Sequence, residues 1–244
     1  SIHKKLQQST VLIVGLGGYG SWLSVLMAKA GVKSIIGIDF DVIEVSNLDR
    51  QITYSPSDIG KVKSEVAENF CNQYSQSGTN FEGVNLKVSS PEDLYPYIEK
   101  SDLVFNPFGY RPLEEANEYI GGIVAKASMD KKVPMLTLGG NAVGPLHIPS
   151  ESPCYFCTCK QLNSLLGVDV NKRSPMIQKR VFVPTISSLC SLASWEAISF
   201  LSDFSAPRTK DKLLRIDWSQ SYNQSRITKI IKNVECVYCG KIDE

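Results

Sequence analysis

Thr10-Val11-Leu12-Ile13-Val14-Gly15-Leu16-Gly17-Gly18-Tyr19-Gly20 is the stretch on which the fold turns. Thr10 to Val14 is a short unbroken apolar run rich in β-branched residues, the pattern of a strand buried on both faces of a parallel sheet. Glycines at 15, 17 and 20 follow at once. A backbone without side chains can turn sharply there from strand to helix and leave main-chain N–H groups open to an anion. From Tyr19 to Ala30 the apolar residues Trp22, Leu23, Leu26, Met27 and Ala30 recur at helical spacing, and Gly31 supplies the stop. Ser34 to Asp39 reads as a second parallel strand ending on an acid, which completes a βαβ unit.

Outward from this unit the alternation continues more loosely. A helix is predicted over Asp58 to Tyr74, strands near Gly83 to Val88 and at Leu103 to Phe105, and a helix over Pro112 to Met129 with Pro112 in its first turn. Val133 to Leu138 and Val143 to Ile148 read as the next strands. Gln161 to Arg180 is polar and weakly periodic, a crossover loop. Pro184 to Phe204 is amphipathic, and two last strands span Leu213 to Trp218 and Ser225 to Ile231. The expected fold is α/β: a Rossmann-like, mostly parallel sheet flanked by helices, with a C-terminal antiparallel extension. Residues 1–244 are expected to form one domain, with 1–150 as its nucleotide-binding half and 151–244 carrying the cysteine pairs, the crossover loop and the last helix and strands.

The balance of 26 basic and 25 acidic residues gives no electrostatic footprint for nucleic acid or an anionic membrane. The longest apolar stretch, Ile186 to Leu201, is interrupted by serines and Glu196, short of the ~18 unbroken residues of a membrane span. No signal peptide precedes the first strand, so a cytoplasmic address is expected. Seven cysteines, four of them in two C-x-x-C pairs, read in a reducing compartment as metal ligands before disulfides.

Alone, G-x-G-x-x-G is a weak signal; placed after a buried strand and before an amphipathic helix it becomes a strong one. Gly15, Gly17, Gly18 and Gly20 are the candidate phosphate contacts, and Asp39, about 20 residues beyond, suits ribose hydroxyls. To this point an NAD enzyme and an ATP enzyme fit equally well.

Asp39-Phe40-Asp41-Val42-Ile43-Glu44-Val45-Ser46-Asn47-Leu48-Asp49-Arg50-Gln51 resembles the segment D-x-D-x-[IV]-x-x-S-N-L-x-R-Q of the ThiF/MoeB superfamily, which includes ubiquitin-activating enzymes. The resemblance implies ATP as the nucleotide, and adenylation of the C-terminus of a peptide or small ubiquitin-like protein with release of pyrophosphate. It implies Asp39 as a ribose ligand with Asp41 in the same pocket, Asn47 and Arg50 facing the phosphates, and Gln51 shaping their surroundings. Lys63 matches the family lysine thirteen residues after the arginine, so Arg50 and Lys63 are the candidate catalytic cations. Lys61 reads as an exposed lysine. A homodimer, or a heterodimer with a related subunit, is likewise implied.

Cys154-Tyr155-Phe156-Cys157 and Cys236-Val237-Tyr238-Cys239 are two knuckle-spaced pairs, together able to close a tetrahedral Zn²⁺ site. Four thiolates leave no open position, so the metal is expected to be structural, tying the end of the chain to the loop after the sixth strand. The pairs match the superfamily's tetrathiolate zinc, and the approach from Gly144 to Cys154 resembles its microcin-type, peptide-adenylating branch. Cys159 is surplus.

The pattern also breaks. Where the superfamily places an aspartate for Mg²⁺ after the fourth strand, Asp102 to Tyr110 puts Gly109, leaving Asn106 to ligate through water and Glu114 and Glu115 facing solvent. Ser1 to Val11 lacks the arginine that relatives present from an N-terminal segment; a segment ahead of Ser1 is one expectation for it. Gln161 to Arg180 has no cysteine for a thioester, Cys71 and Cys190 read as buried small hydrophobes, and Trp22, Phe108 and Tyr119 as core. With histidine only at 3 and 147, no Ser-His or Cys-His constellation stands out. Two readings therefore stay open: an adenylating enzyme, and a degenerate peptide-binding scaffold or inactive half of a heterodimer serving a partner enzyme. Peptide contacts are expected around Asn141 and Arg173.

Overall fold

A computed structural model of the chain describes residues 1–75, 78–166, 182–216 and 225–240. Eight strands form one sheet in the order β3-β2-β1-β4-β5-β6-β7-β8. β1 (Thr10–Val14), β2 (Ser34–Ile38), β3 (Asn80–Val84), β4 (Leu103–Asn106) and β5 (Met135–Gly139) run parallel. β6 (Ala142–His147), β7 (Lys212–Arg215) and β8 (Arg226–Lys229) continue it antiparallel. The switch of sense at β5 has a local cause. Only Gly140 and Asn141 separate the paired ends Gly139 and Ala142, and so short a loop can join only antiparallel strands.

Alternate residues of β1 feed opposite cores, which is what a strand buried on both faces requires. Val11 and Ile13 pack with α2 (Gly18–Ala30) and α8 (Val183–Ser202); Leu12 and Val14 pack with α6 (Ile120–Asp130) and α7 (Tyr155–Leu166). α1 (Ile2–Leu6) and α3 (Lys63–Tyr74) lie on the first face, and α4 (Tyr95–Ile98) and α5 (Leu113–Ala116) on the second. Among the described residues no helix is long and apolar enough to cross a membrane.

Several expected boundaries move. The single helix over Pro112 to Met129 is two, because Gly122 lies so close to α5 that a Cβ there would stand 1.6 Å from the Ala116 carbonyl oxygen, and Tyr119 is extended at ψ 140°. The helix expected from Asp58 begins at Lys63; Pro56–Asp58 is a separate 3-10 turn, followed by Gly60 at φ +86°. The strand placed at Gly83 to Val88 is Asn80–Val84, drawn into register with Ser34–Ile38. The crossover loop begins later than expected, since α7 runs to Leu166. Residues 167–180 of that loop, Arg173 included, and Trp218 lie outside the described residues.

Candidate nucleotide site and four-cysteine cluster

β1 is flanked by β2 on one side and β4 on the other, so the chain order reverses there and opens a crevice at the C-terminal ends of β1 and β4. The glycine turn fills its floor. Gly15 holds φ +90° and donates to the Ile38 carbonyl at 2.7 Å. A Cβ on Gly20 would stand 1.8 Å from the Gly15 carbonyl oxygen, so turn and helix meet backbone to backbone. Gly17, by contrast, has open space: the nearest atom to a Cβ there is the Gln51 amide nitrogen at 3.9 Å.

Asp39 braces this turn. Its Oδ2 accepts from Leu16 N at 2.7 Å and its Oδ1 from Asp41 N at 2.8 Å, and each oxygen keeps a lone pair for a further donor. Burial pushes its carboxyl above the usual carboxylate range, against the two N–H groups and Lys63, which favour the charge. The folded chain therefore holds this proton to higher pH than the unfolded chain does. The stabilisation is complete below the unfolded value and is lost as pH rises through the folded one. In urea titrations from about pH 4 to neutrality, the parent is expected to lose stability relative to Asp39→Asn as pH rises. Parallel pH profiles would contradict this assignment.

The signature segment wraps the same turn. Lys63 is buried and its Nζ pairs with the half-exposed Asp41 at 2.9 Å; Tyr54 donates to the Leu16 carbonyl at 2.9 Å. Asn47 accepts from Glu44 N at 3.1 Å and so closes its own 3-10 turn. Arg50 donates to the Ser46 carbonyl and to Asp49, each at 2.6 Å, with its stem beside Gly18. Trp22 does more than fill core: its indole N–H donates to the Arg50 carbonyl at 3.0 Å and ties α2 to the segment. Gln51 is 4% exposed, and its Oε1 has no hydrogen-bond partner. A buried orphan acceptor costs about 1–3 kcal/mol; the other end of the same amide, Nε2, is the Gln51 atom that borders the open space at Gly17. Lys61 pairs at the surface with Asp58, as expected.

The end of β4 is the far wall. Gly109 holds φ +68°, donates to the Leu138 carbonyl at 3.0 Å and accepts from the Tyr155 hydroxyl at 3.0 Å. Tyr119 donates to the Phe108 carbonyl at 2.8 Å. The Phe108 ring, expected in the core, is only half-buried and leans on the glycine turn: a Cβ on Gly15 would stand 2.8 Å from its Cζ. Asn106 is sealed from solvent; its amide nitrogen donates to the Gly121 carbonyl at 2.8 Å, and its Oδ1 has no hydrogen-bond partner. Glu114 and Glu115 face solvent as expected. Gly109 carries no carboxylate, Glu114 and Glu115 face solvent and Asp41 is engaged by Lys63, so a Mg²⁺ held at the usual wall does not fit these residues.

Behind the Gly109 wall, to which Tyr155 bonds, the two cysteine pairs converge. Cys154 and Cys157 lie at the start of α7, and Cys236 and Cys239 in the segment after β8. Sulfur separations are 3.8 Å (Cys154 to Cys157), 3.7 Å (Cys154 to Cys236) and 3.5 Å (Cys157 to Cys239), and all four sulfurs lie within 4.8 Å of one another. Tetrahedral Zn–S bonds of ~2.3 Å set sulfur edges of about 3.8 Å, close to these three separations, so the cluster is compatible with zinc. Cys159 is buried, and burial pushes its thiol up to about 12; Cys71 behaves alike, and Cys190 is sealed under Tyr19.

Sequence reading missed one further set. His147 is buried between the Tyr110 hydroxyl, 3.0 Å from Nε2, and the Pro153 carbonyl at Nδ1. Burial pushes the ring down to about 4, so it is neutral and links the Gly109 wall to the first cysteine pair. Nothing in its sequence neighbourhood signals a partner 37 residues away.

Comparison with known proteins agrees with this geometry. The ThiF family model matches residues 2–237. Molybdopterin-synthase adenylyltransferase of Escherichia coli (strain K12) is 30% identical over 98% of this chain and 90% of its own length. The sulfur carrier protein ThiS adenylyltransferase of the same organism is 25% identical over 98% and 88%. Among solved structures, E. coli MccB with ATP superposes at a TM-score of 0.80 with 26% identity, over 98% of this chain and 68% of that one. MccB with AMPCPP and MccA gives 0.79 and 25%, over 98% and 69%. A βαβ unit with a braced glycine turn, the signature segment wrapped around it, and a family match over nearly the whole length leave one conclusion: the chain belongs to the ThiF family.

Proposed function

We propose that this chain binds ATP in the β1/β4 crevice and adenylates the C-terminal carboxylate of a peptide or small ubiquitin-like protein. The observation that carries the reading is the Asp39-braced glycine turn, whose Gly17 faces open space next to the Gln51 amide. In this reading the backbone of Gly15, Gly17, Gly18 and Gly20 receives phosphate, Asp39 takes the ribose through its remaining lone pairs, and Gln51 borders the nucleotide through its amide nitrogen. Asp41 orients Lys63, and Asn47 keeps the loop in shape for Arg50. Bound ATP supplies the electrophilic phosphorus and pyrophosphate as leaving group; Lys63 and Arg50 stabilise the charge that develops on leaving. Arg50 must swing from Ser46 and Asp49 to do so, a small cost for a partly exposed pair. The four-cysteine cluster is assigned to structural zinc, and assembly with a second copy or a related subunit is proposed from kinship.

Pyrophosphate exchange, assayed with ATP, divalent metal and candidate C-terminal peptides, tests the reading. Lys63→Ala is expected to cut exchange about 100-fold, on the scale of losing one oriented charge donor, with Lys63→Arg recovering part of it. Absence of exchange with the true peptide overturns it.

Gly109 favours a second reading, a scaffold that keeps the pocket without turnover. ATP binding by calorimetry with no exchange supports that alternative. Gly109→Asp is its sharper probe: the left-handed φ costs about 1–2 kcal/mol, but the nearest backbone atom to the new Cβ is 3.4 Å away, so the variant is expected to fold. Exchange gained only in Gly109→Asp assigns the parent to the scaffold class.

A further inference from the structure

The β7–β8 hairpin pairs like charge with like. Lys212 stands opposite Lys229 and Arg215 opposite Arg226. Direct cross-strand partners project to the same sheet face about 5 Å apart, where like charges are destabilising and opposite charges contribute about 0.2–1 kcal/mol. None of the four side chains has a hydrogen-bond or ion-pair partner among the described residues, whereas nearby Lys210 meets Glu151 at 2.7 Å. Between the charged pairs, Leu214 stands opposite Ile227, and Ile227 is 62% exposed. β8 is also the edge of the sheet: among the described residues its outer row of N–H and C=O groups has no strand partner, and only beyond its end does Gln161 of α7 pair with the Ile231 N–H and carbonyl, at 3.1 and 2.7 Å.

Edge strands often carry lysine as a guard against chance pairing. A guard accounts for Arg226 and Lys229 on β8. It does not account for Lys212 and Arg215 on β7, an interior strand where an acid opposite each edge cation would stabilise the hairpin without uncovering the edge. Lys212 and Lys229 share the face of the exposed Ile227 and Arg215 and Arg226 project to the other, so a strand added at this edge meets cations on both faces, which complements an acidic, partly apolar segment.

We propose that the β7–β8 hairpin docks an extended acidic segment of a partner polypeptide, which adds beside β8 as a ninth strand. The register defines its chemistry: acids opposite Arg226 and Lys229, three residues apart, with an apolar residue opposite Ile227. Main-chain bonds to the β8 edge give affinity and the flanking acids give specificity. This docking surface is independent of nucleotide binding, and its test does not pass through the crevice.

The test is fluorescence anisotropy of the whole chain with a labelled peptide of repeated Glu-Val-Thr-Glu, against a Lys-Val-Thr-Lys counterpart and a single-stranded oligonucleotide. The acidic peptide is expected to bind, more weakly as salt rises, and the basic one not to. R226E/K229E is expected to weaken the acidic peptide by at least about tenfold and to accept the basic one. Because it removes both like-charge pairs, its melting temperature is expected to hold or rise, which separates lost docking from lost folding. A peptide N-methylated at alternate residues, unable to complete the ladder, is expected to bind at least about tenfold more weakly. Equal binding of acidic and basic peptides, unchanged binding by R226E/K229E, unchanged binding of the N-methylated peptide, or preference for the oligonucleotide each overturns the proposal.

Discussion

Gly20→Ala is expected to remove nucleotide binding, lowering ATP affinity by at least about 100-fold, and to destabilise the fold by about 3 kcal/mol. The new Cβ would lie 1.8 Å from the Gly15 carbonyl oxygen and 2.8 Å from its carbon, both backbone atoms that cannot swing aside as a side chain would. Relief requires the turn to open. Opening it draws Gly15 N away from Ile38 and Leu16 N away from Asp39, the two bonds that hold the turn. Gly17→Ala is the control, since its Cβ enters open space and its φ of −72° carries no left-handed strain. That variant is expected to fold close to normally and to lose affinity by occupying ligand space alone. Calorimetric ATP titration beside urea unfolding separates the two effects. Parent-like ATP affinity in Gly20→Ala would remove the glycine turn as the nucleotide site.

Removing the metal is expected to have the second large effect. The chain should carry one zinc, and chelation, Cys236→Ser or Cys239→Ser should lower the melting temperature by about 10 °C, the shift that several kcal/mol produces in a chain of this size. The reason lies in how little apolar burial holds the segment after β8, which otherwise hangs on exposed bonds such as Ile231 to Gln161 and Tyr238 to Asn117. Val234 is 80% exposed and Val237 78%, so burial contributes little there. What fixes it is the convergence of Cys236 and Cys239 on Cys154 and Cys157, helped by Asn233 N on the Cys157 sulfur and by Tyr238 stacked on Phe156 at 3.8 Å. Proteolysis of the metal-free chain should start in residues 225–240. Cys159→Ser, which changes a buried thiol outside the cluster, should leave the zinc content at one. Metal analysis with thermal melts decides it, and a metal-free chain with an unchanged melt would show that the cluster is not structural.

Local patterns in the chain were enough for the βαβ unit. A buried strand, a glycine turn and an amphipathic helix each follow from residues within a few positions of one another. The second cysteine pair was equally legible, because ligand spacing is a chemical requirement on neighbours. Expectations failed where remote backbone intervened. The helix over Pro112 to Met129 broke because α5 and α6 meet at Gly122, and the third strand shifted because its register belongs to β2.

The glycine turn, the signature segment, its cations and the two cysteine pairs were determined by sequence alone, since each depends on short spacing and on what a residue type can bond. Tertiary structure alone decided how they are used. It set Asp39 on Leu16, Trp22 on Arg50, Tyr155 on Gly109 and His147 on Tyr110, left the Gln51 oxygen without a partner, and matched cation to cation across β7 and β8. The physical reason is common to all of these: they are pairings between residues distant along the chain, whose energies depend on burial and register, and periodicity carries no information about either.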